Sequence, residues 1–337
     1  MKILFIGGNG NISWHCTRLA IENGHEVWQL NREQSVLTRR RIQPQVRKLK
    51  GNMREIETIK KLLDSCSFDV VCDFICYNEE HAKNDIEIFR DNTKRFIFVS
   101  SESVYQRNPI LDADFYTENS EKYDASCGCD YIVGKLMAER VFMDAYQREG
   151  FPITIVRPFY TYDTIFPTSI GHNCFTAAEL ILKGYPLLIA GDGKNLWSFM
   201  NSSDFAEAFI GLAENEGTVG ESFNIGMDEG LSWNDQSELV LRALGAKASG
   251  IFHIPSDEAL TLEEIQPRTM MFHRIRNNVS CTEKVKRFVP GWTPKISFEE
   301  GIQKTVCWLN EDIRHKRHVD KIYNSLMAVY ERYGIRL

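Results

Sequence analysis

The chain has 337 residues, 43% hydrophobic and 26% charged, with a formal net charge of −6 and a pI near 5.8. That is enough chain for one large domain or two smaller ones around a substantial core. The acidic balance argues against broad, sequence-independent nucleic-acid binding, which needs a basic footprint.

In chain order, "KILFIG" (2–7) reads as a buried strand, "GGNGNIS" as a turn, and "ISWHCTRLAIENG" as a helix stopped at Gly24. "HEVWQLN" is the next strand. The basic run "TRRRIQPQVRKLK" (38–50) is expected as a solvated helix-loop face. "IETIKKLLDSC" is helical, "FDVVCDFI" a strand, "EEHAKNDIEIFRD" a helix and "KRFIFVSS" a strand. A helix over "YIVGKLMAERVFMDAYQREG" and the strand "ITIVRP" follow. Continuous apolar strands alternating with helices predict a parallel sheet covered on both faces.

Beyond residue 160 come a helix and strand in "TAAELILKGYPLLIAGDG" and a helix in "SSDFAEAFIGLAEN", capped by Asp204 or a neighbouring serine. A strand "ESFNIG" and a helix "WNDQSELVLRALG" complete this stretch, and "IYNSLMAVYERY" is helical in the tail. The expected fold is α/β, a Rossmann-type doubly wound parallel sheet with a smaller C-terminal substrate-binding lobe. Residues 1–160 would form the dinucleotide-binding domain, with 198–226 returning to it. Residues 161–197 and 227–310 would form the lobe, and 311–337 a helical tail.

Nine scattered cysteines, several inside apolar runs such as "VVCDFIC", behave as small hydrophobes and point to a reducing, cytoplasmic setting. "CGC" at 127–129 has no second pair at zinc spacing, so no metal is expected. "ILFIGG" is too short for a signal peptide or a membrane span.

"GGNGNIS" follows a strand and opens a helix, the context in which glycines serve a dinucleotide. Gly7 and Gly10 let the backbone approach a pyrophosphate, and the helix start offers free N–H groups through Asn11 and Ile12. Ser13 stands where a third glycine is expected. The second strand ends in Asn31 and Arg32 rather than in a carboxylate. An arginine pairs with a 2′-phosphate, so the expected cofactor is NAD(P), tilted towards NADP.

Tyr131 and Lys135 are one helical turn apart. A free phenol, with a pKa near 10, is a poor base at neutral pH, and a neighbouring ammonium would lower that value. "FIFVSSESVY" places Ser101 at a strand end, where a hydroxyl can steady a substrate oxygen. Together with the glycine turn these residues point to proton transfer coupled to hydride transfer.

From residue 2 to about 308 the chain resembles an extended short-chain dehydrogenase/reductase of the nucleotide-sugar epimerase/dehydratase group. The resemblance is carried by the glycine turn, "FIFVSSESVY", "YIVGK", "ITIVRP", "LILKGYPLLIAGDG", "SSDFAEAF" and "GWTPKISFEEGI". It implies Tyr131 as acid/base, Lys135 as its tuner and a ribose ligand, and Ser101 as holder of the sugar oxygen. It further implies Asn52, Met53 and Pro158 at the cofactor, and Ser103, Tyr160 and Asn173 at the substrate. The family's sugar 4,6-dehydratases carry an acid at the place of Glu102, usually an aspartate followed by a glutamate, and here Ser103 replaces the second acid, so Glu102 is a candidate acid for elimination. Where many relatives grip the diphosphate with an arginine, this chain has Trp197. The grip is then expected from the arginines of "RTMMFHRIRNN", Arg274 or Arg276 among them. A branch that includes plant chloroplast RNA-binding proteins is also similar, although it often lacks the tyrosine–lysine pair kept here.

The function expected from this is epimerisation of a UDP-, GDP-, CDP- or dTDP-linked sugar through transient oxidation at C4, by a cytoplasmic homodimer. The alternatives are dehydration using Glu102, NADPH-dependent reduction of a keto-sugar, and a non-catalytic RNA-binding protein on the same scaffold.

Overall fold

The computed structural model describes residues 1–32, 40–107, 115–171 and 174–337. The first half alternates strand and helix: β1 (Lys2–Ile6), α1 (Ser13–Glu22), β2 (Glu26–Asn31), β3 (Arg47–Lys50), α2 (Ile56–Leu63) and β4 (Val70–Asp73). It continues with α3 (Glu79–Phe89), β5 (Phe96–Val99), α4 (Asp130–Glu149), β6 (Ile153–Pro158) and β7 (Tyr160–Tyr162). Next come α5 (Phe175–Leu182), β8 (Leu187–Ala190), β9 (Leu196–Trp197), β10 (Phe199–Asn201), α6 (Ser202–Glu214), β11 (Ser222–Ile225) and β12 (Leu231–Ser232). The chain closes with α7 (Trp233–Leu244), β13 (Ile251–Ile254), α8 (Ser256–Ala259), α9 (Arg268–Arg274), α10 (Glu283–Phe288), α11 (Phe298–Glu311) and α12 (Asp320–Arg332).

The described residues form a seven-stranded sheet in the order β11-β6-β5-β4-β1-β2-β3, and every pairing in it is parallel. Neighbouring strand residues serve opposite faces. Ile3 and Phe5 pack with α1 and α6 on one side, whereas Leu4 and Ile6 pack with α2, α3 and α4 on the other. Each fully buried aromatic in these layers, such as Phe5 or Phe98, contributes about 1.5–3 kcal/mol. Strand order reverses around β1, so the C-terminal ends of β1 and β4 diverge and open a crevice.

Residues 47–50, expected in a helix-loop face, form edge strand β3, with Arg47, Lys48 and Lys50 exposed. Charged side chains on an edge strand block further pairing, which accounts for a basic stretch inside a sheet. The cap of α6 also differs from expectation: the Asn201 side chain accepts from Ser203 N, and Asp204 instead accepts from Lys295 N and Ile296 N.

The later elements build a second core around Tyr160, Tyr162, Trp197, Phe199, Trp233 and Phe298. α12 lays Ile322, Leu326, Val329 and Tyr330 against α5, β8 and β13. Among the described residues, no helix is long and apolar enough to cross a membrane.

Candidate active site

A cleft of about 490 Å³ lies at the C-terminal ends of β1, β4, β5 and β6. Gly7, Gly10, Asn11, Ile12 and Ser13 line it from the glycine turn. Gly7 sits at φ +74°, and a Cβ there would stand 2.6 Å from the Ile75 side chain, so only glycine fits. Ser13, the substitute for the third glycine, staples the turn. Its hydroxyl donates to Gly7 O at 2.7 Å and accepts from Gly10 N at 2.8 Å. Asn11 bolts the turn to the far wall. Its amide donates to Thr161 O and Ser202 Oγ, and its carbonyl accepts from Thr164 N and Ile165 N.

Ser101, Tyr131 and Lys135 line the same cleft. The Ser101 hydroxyl acts on the Tyr131 phenol, and Ser101 Oγ is steadied from behind by Ser103, through Oγ at 2.8 Å and the backbone N–H at 3.2 Å. Ser103, expected at the substrate, is fully buried and orients Ser101 instead. Tyr131 is 40% exposed as a residue, but its hydroxyl is withdrawn beside Ser101. Burial of that oxygen pushes the phenol up to about 12; the Ser101 hydroxyl opposes the rise and the charge of Glu102 adds to it. The expectation that Lys135 holds the phenol low is therefore not met in this arrangement. The Lys135 ammonium donates to Cys76 O and Val99 O, both at 2.7 Å, and stands 4.9 Å from the Tyr77 ring. Burial lowers it to about 8, against the opposing influence of Cys76, Asp73, Glu139 and Asp85.

Glu102 also lines the cleft, and it is not a solvent-facing carboxylate. Arg107 Nη2 bonds Glu102 Oε2 at 2.7 Å and Asn278 Oδ1 at 2.6 Å. Burial raises the Glu102 pKa, and the charges of Arg107 and Arg274 oppose that rise.

Pro158 and Tyr160 stand on the cleft wall as expected positions for cofactor and substrate, but Trp197, Arg274 and Arg276 do not line it. Trp197 is core: its ring lies 5.1 Å from that of Trp233, and Nε1 donates to Arg276 O. The Arg274 guanidinium is enclosed by Tyr160, Trp197 and Trp233, 4.7–5.2 Å from their ring centres. Arg276 bonds Ile275 O and covers Phe272. A diphosphate partner from this helix would have to leave its cage. Asn173 lies outside the described residues.

At the far sheet edge, Asn31 ends β2, with its amide on Gln29 Oε1, and Arg32 follows it, exposed. Asn52 caps the turn after β3 by accepting from Arg54 N, and Met53 is buried with Leu30 and Ile59. Phe74, Ile75, Tyr77, Thr161 and Ile165 also line the cleft, and none was singled out from sequence. The signal for Tyr77 was its place just past β4, at the end of the sheet where ligands bind.

These residues suit a dinucleotide. A turn that excludes side chains meets the start of α1, where a helix leaves N–H groups without partners. Tyr131 and Lys135 line the same cleft as the glycine turn, whereas Asn31 and Arg32 lie outside its lining.

The model of the NAD dependent epimerase/dehydratase family matches residues 3–226. Many curated proteins are similar to this chain. The chloroplast stem-loop binding protein of 41 kDa b of Arabidopsis thaliana is 24% identical over 89% of this chain and 77% of its own length. The UDP-N-acetyl-alpha-D-glucosaminuronate decarboxylase of Bacillus cytotoxicus is 28% identical over 69% of each chain. Among solved structures, the UDP-glucuronic acid 4-epimerase of Bacillus cereus, in complex with UDP-glucuronic acid and NAD, superposes with a TM-score of 0.71. It is 18% identical, over 92% of this chain and 99% of that one.

Proposed function

The chain belongs to the NAD dependent epimerase/dehydratase family, enzymes of the extended short-chain dehydrogenase/reductase class, and on that premise we propose that it epimerises a nucleotide-diphosphate sugar through transient oxidation at C4. The observation that supports the reading is the convergence of Ser101, Tyr131, Lys135 and the glycine turn on one cleft. When bound there, NAD(P) accepts and returns the electron pair. The ionised Tyr131 oxygen takes the proton of the C4 hydroxyl while Ser101, held by Ser103, donates to the same sugar oxygen. Lys135 keeps a positive charge beneath the cleft floor. Rotation of the released ketone, so that the hydride returns to the other face of C4 while Tyr131 gives its proton back to the oxygen, would invert the centre.

A dehydratase variant is the second reading, because Glu102 faces the cleft with its pKa raised by burial. Protonated, it would deliver a proton to a leaving hydroxyl beside the ketone. Arg32 supports a preference for NADP and, with it, the keto-sugar reductase alternative. The name of the chloroplast relative keeps an RNA-binding alternative in view. We also read the chain as cytoplasmic, from nine unpaired cysteines, and as a homodimer through the half-exposed Leu136, Met137 and Val141 of α4.

The deciding experiment incubates purified protein with UDP-, GDP-, CDP- and dTDP-hexoses and follows products by NMR. An epimer or a keto-sugar from one of them is expected. No turnover of any sugar, together with tight RNA binding that Tyr131→Phe leaves intact, would overturn the reading.

A further inference from the structure

Behind the cleft wall two carboxyl groups meet without water. Asp73 ends β4, Asp85 stands midway along α3, and both are 0% exposed. Each carboxyl group acts directly on the ionisation of the other. Carboxylates only accept, so two of them set together in a dry site are compatible when one proton is held between them. Asp73 Oδ2 and both oxygens of Asp85 are buried with no N–H donor among the described residues. The remaining oxygen, Asp73 Oδ1, accepts from the backbone N–H groups of Ile75 and Cys76, the latter at 3.0 Å. The carbonyl of that same Cys76 receives the Lys135 ammonium at 2.7 Å.

We propose that Asp73 and Asp85 are positioning residues for Lys135: sharing one proton, they carry a single negative charge that fixes the Ile75–Cys76 peptides and balances the buried ammonium. Two charges side by side in a dry site repel strongly, and a fully neutral pair would leave the ammonium uncompensated. The groups facing the pair are Arg54 from the loop after β3, Lys135 from α4 and the Cys76 thiol. Arg54 is engaged by Ile75 O at 2.6 Å, which locks the same loop from its other side. Gly134 completes the seat, since a Cβ there would stand 2.2 Å from Tyr77 O. Burial raises both aspartates, and both oppose the lowering of Lys135, as this arrangement requires. The catalytic meaning of the inference rests on the function proposed above; the electrostatic arrangement does not.

The single and double amide variants test it. Asp73→Asn and Asp85→Asn each imitate the shared proton, because the new amide donates to the surviving carboxylate and the net charge is kept. The double variant removes the charge. Lys135 is titrated by 13C NMR of lysine-labelled protein and assigned through Lys135→Met. The single variants should titrate within about half a unit of the parent, and the double variant at least about one unit lower. A single variant that moves Lys135 as far as the double, or a double that leaves it in place, overturns the inference. Should the double variant not fold, carboxyl 13C titration of the parent decides: one of the two carboxyls must stay protonated at neutral pH, and two ionised groups defeat the proposal. Sugar turnover assayed in parallel separates the outcomes. Turnover with an unmoved Lys135 sinks only this inference, and the expected shift without turnover on any sugar sinks only the function.

Discussion

Arg157 of β6 grips Glu139 of α4 with two parallel bonds, Nε to Oε1 at 2.7 Å and Nη2 to Oε2 at 2.8 Å, where both side chains are almost fully covered. Ser100 and Lys122 add bonds to the same carboxylate, and Arg157 reaches on to the Tyr105 hydroxyl. Residues 131, 135 and 139 form one stripe of α4. Its first member faces the cleft, its second lies beneath the floor, and its third anchors the helix to the sheet.

Burial opposes ionisation of Glu139, but the charge and bonds of Arg157, with Lys122 and Ser100, hold it at about 2. An unfolded glutamate titrates near 4.3, about two units higher. The folded pKa is the lower one, so this stabilisation is complete above roughly pH 4.3 and is lost as pH falls from there towards 2. Glu139→Gln leaves Arg157 buried without its partner and should cost about 3–5 kcal/mol in urea unfolding at pH 7. A loss under about 1 kcal/mol would show that the pair is dispensable.

Tyr131→Phe removes the proton acceptor and leaves the ring. It should lower kcat by roughly 10²- to 10⁴-fold with little change in cofactor affinity. Rapid-quench assays and fluorescence titration of NAD(P) binding measure the two effects separately. Equal losses in both would assign Tyr131 to binding alone.

The pH profile should rise up to about pH 8 and level off above it. Tyr131 must ionise to accept a proton, and its pKa of about 12 means that log kcat/KM rises with unit slope through neutrality. Lys135, at about 8, loses its charge above that pH and cancels further gain, so the profile levels off. A flat profile between pH 6 and 8 would contradict the raised phenol.

Gly134→Ala separates helix propensity from packing. In an isolated helix the change gains about 1 kcal/mol. Here the new Cβ would stand 2.2 Å from Tyr77 O, and net destabilisation of about 1–3 kcal/mol is expected. Thermal unfolding decides: a variant with a Tm above the parent would mean that the loop after β4 yields freely.

Arg32→Ala should weaken NADP binding by roughly tenfold or more, through loss of a charge-assisted contact, and leave NAD binding nearly unchanged. Titration calorimetry with both dinucleotides checks this. An equal effect on the two would remove the argument for a 2′-phosphate site.

The doubly wound sheet was legible because its central strands, such as "ILFI" and "FIFV", are covered on both faces and so read as unbroken apolar runs. The edge strand β3 was not, since "RKLK" pairs on one side only and its composition reports solvent rather than sheet. The meeting of Ser101, Tyr131 and the glycine turn could be inferred from their places at strand and helix ends. The acidity of Tyr131 could not: spacing tells that Lys135 is one turn away, not that its ammonium is committed to two carbonyls. Arg274 looked available because a chain of letters does not reveal three aromatic rings closing over a guanidinium. Asp73 looked like one more strand residue, because its partner is on a helix twelve positions later and the link is purely tertiary.

α12 lies well past the stretch matched by the family model, yet Leu188, Ala190 and Ile254 owe their cover to it. Shortening the polypeptide to its recognisable portion would therefore strip an oily flank from the second core and invite clumping. The least diagnostic segment of this molecule is also one it cannot shed.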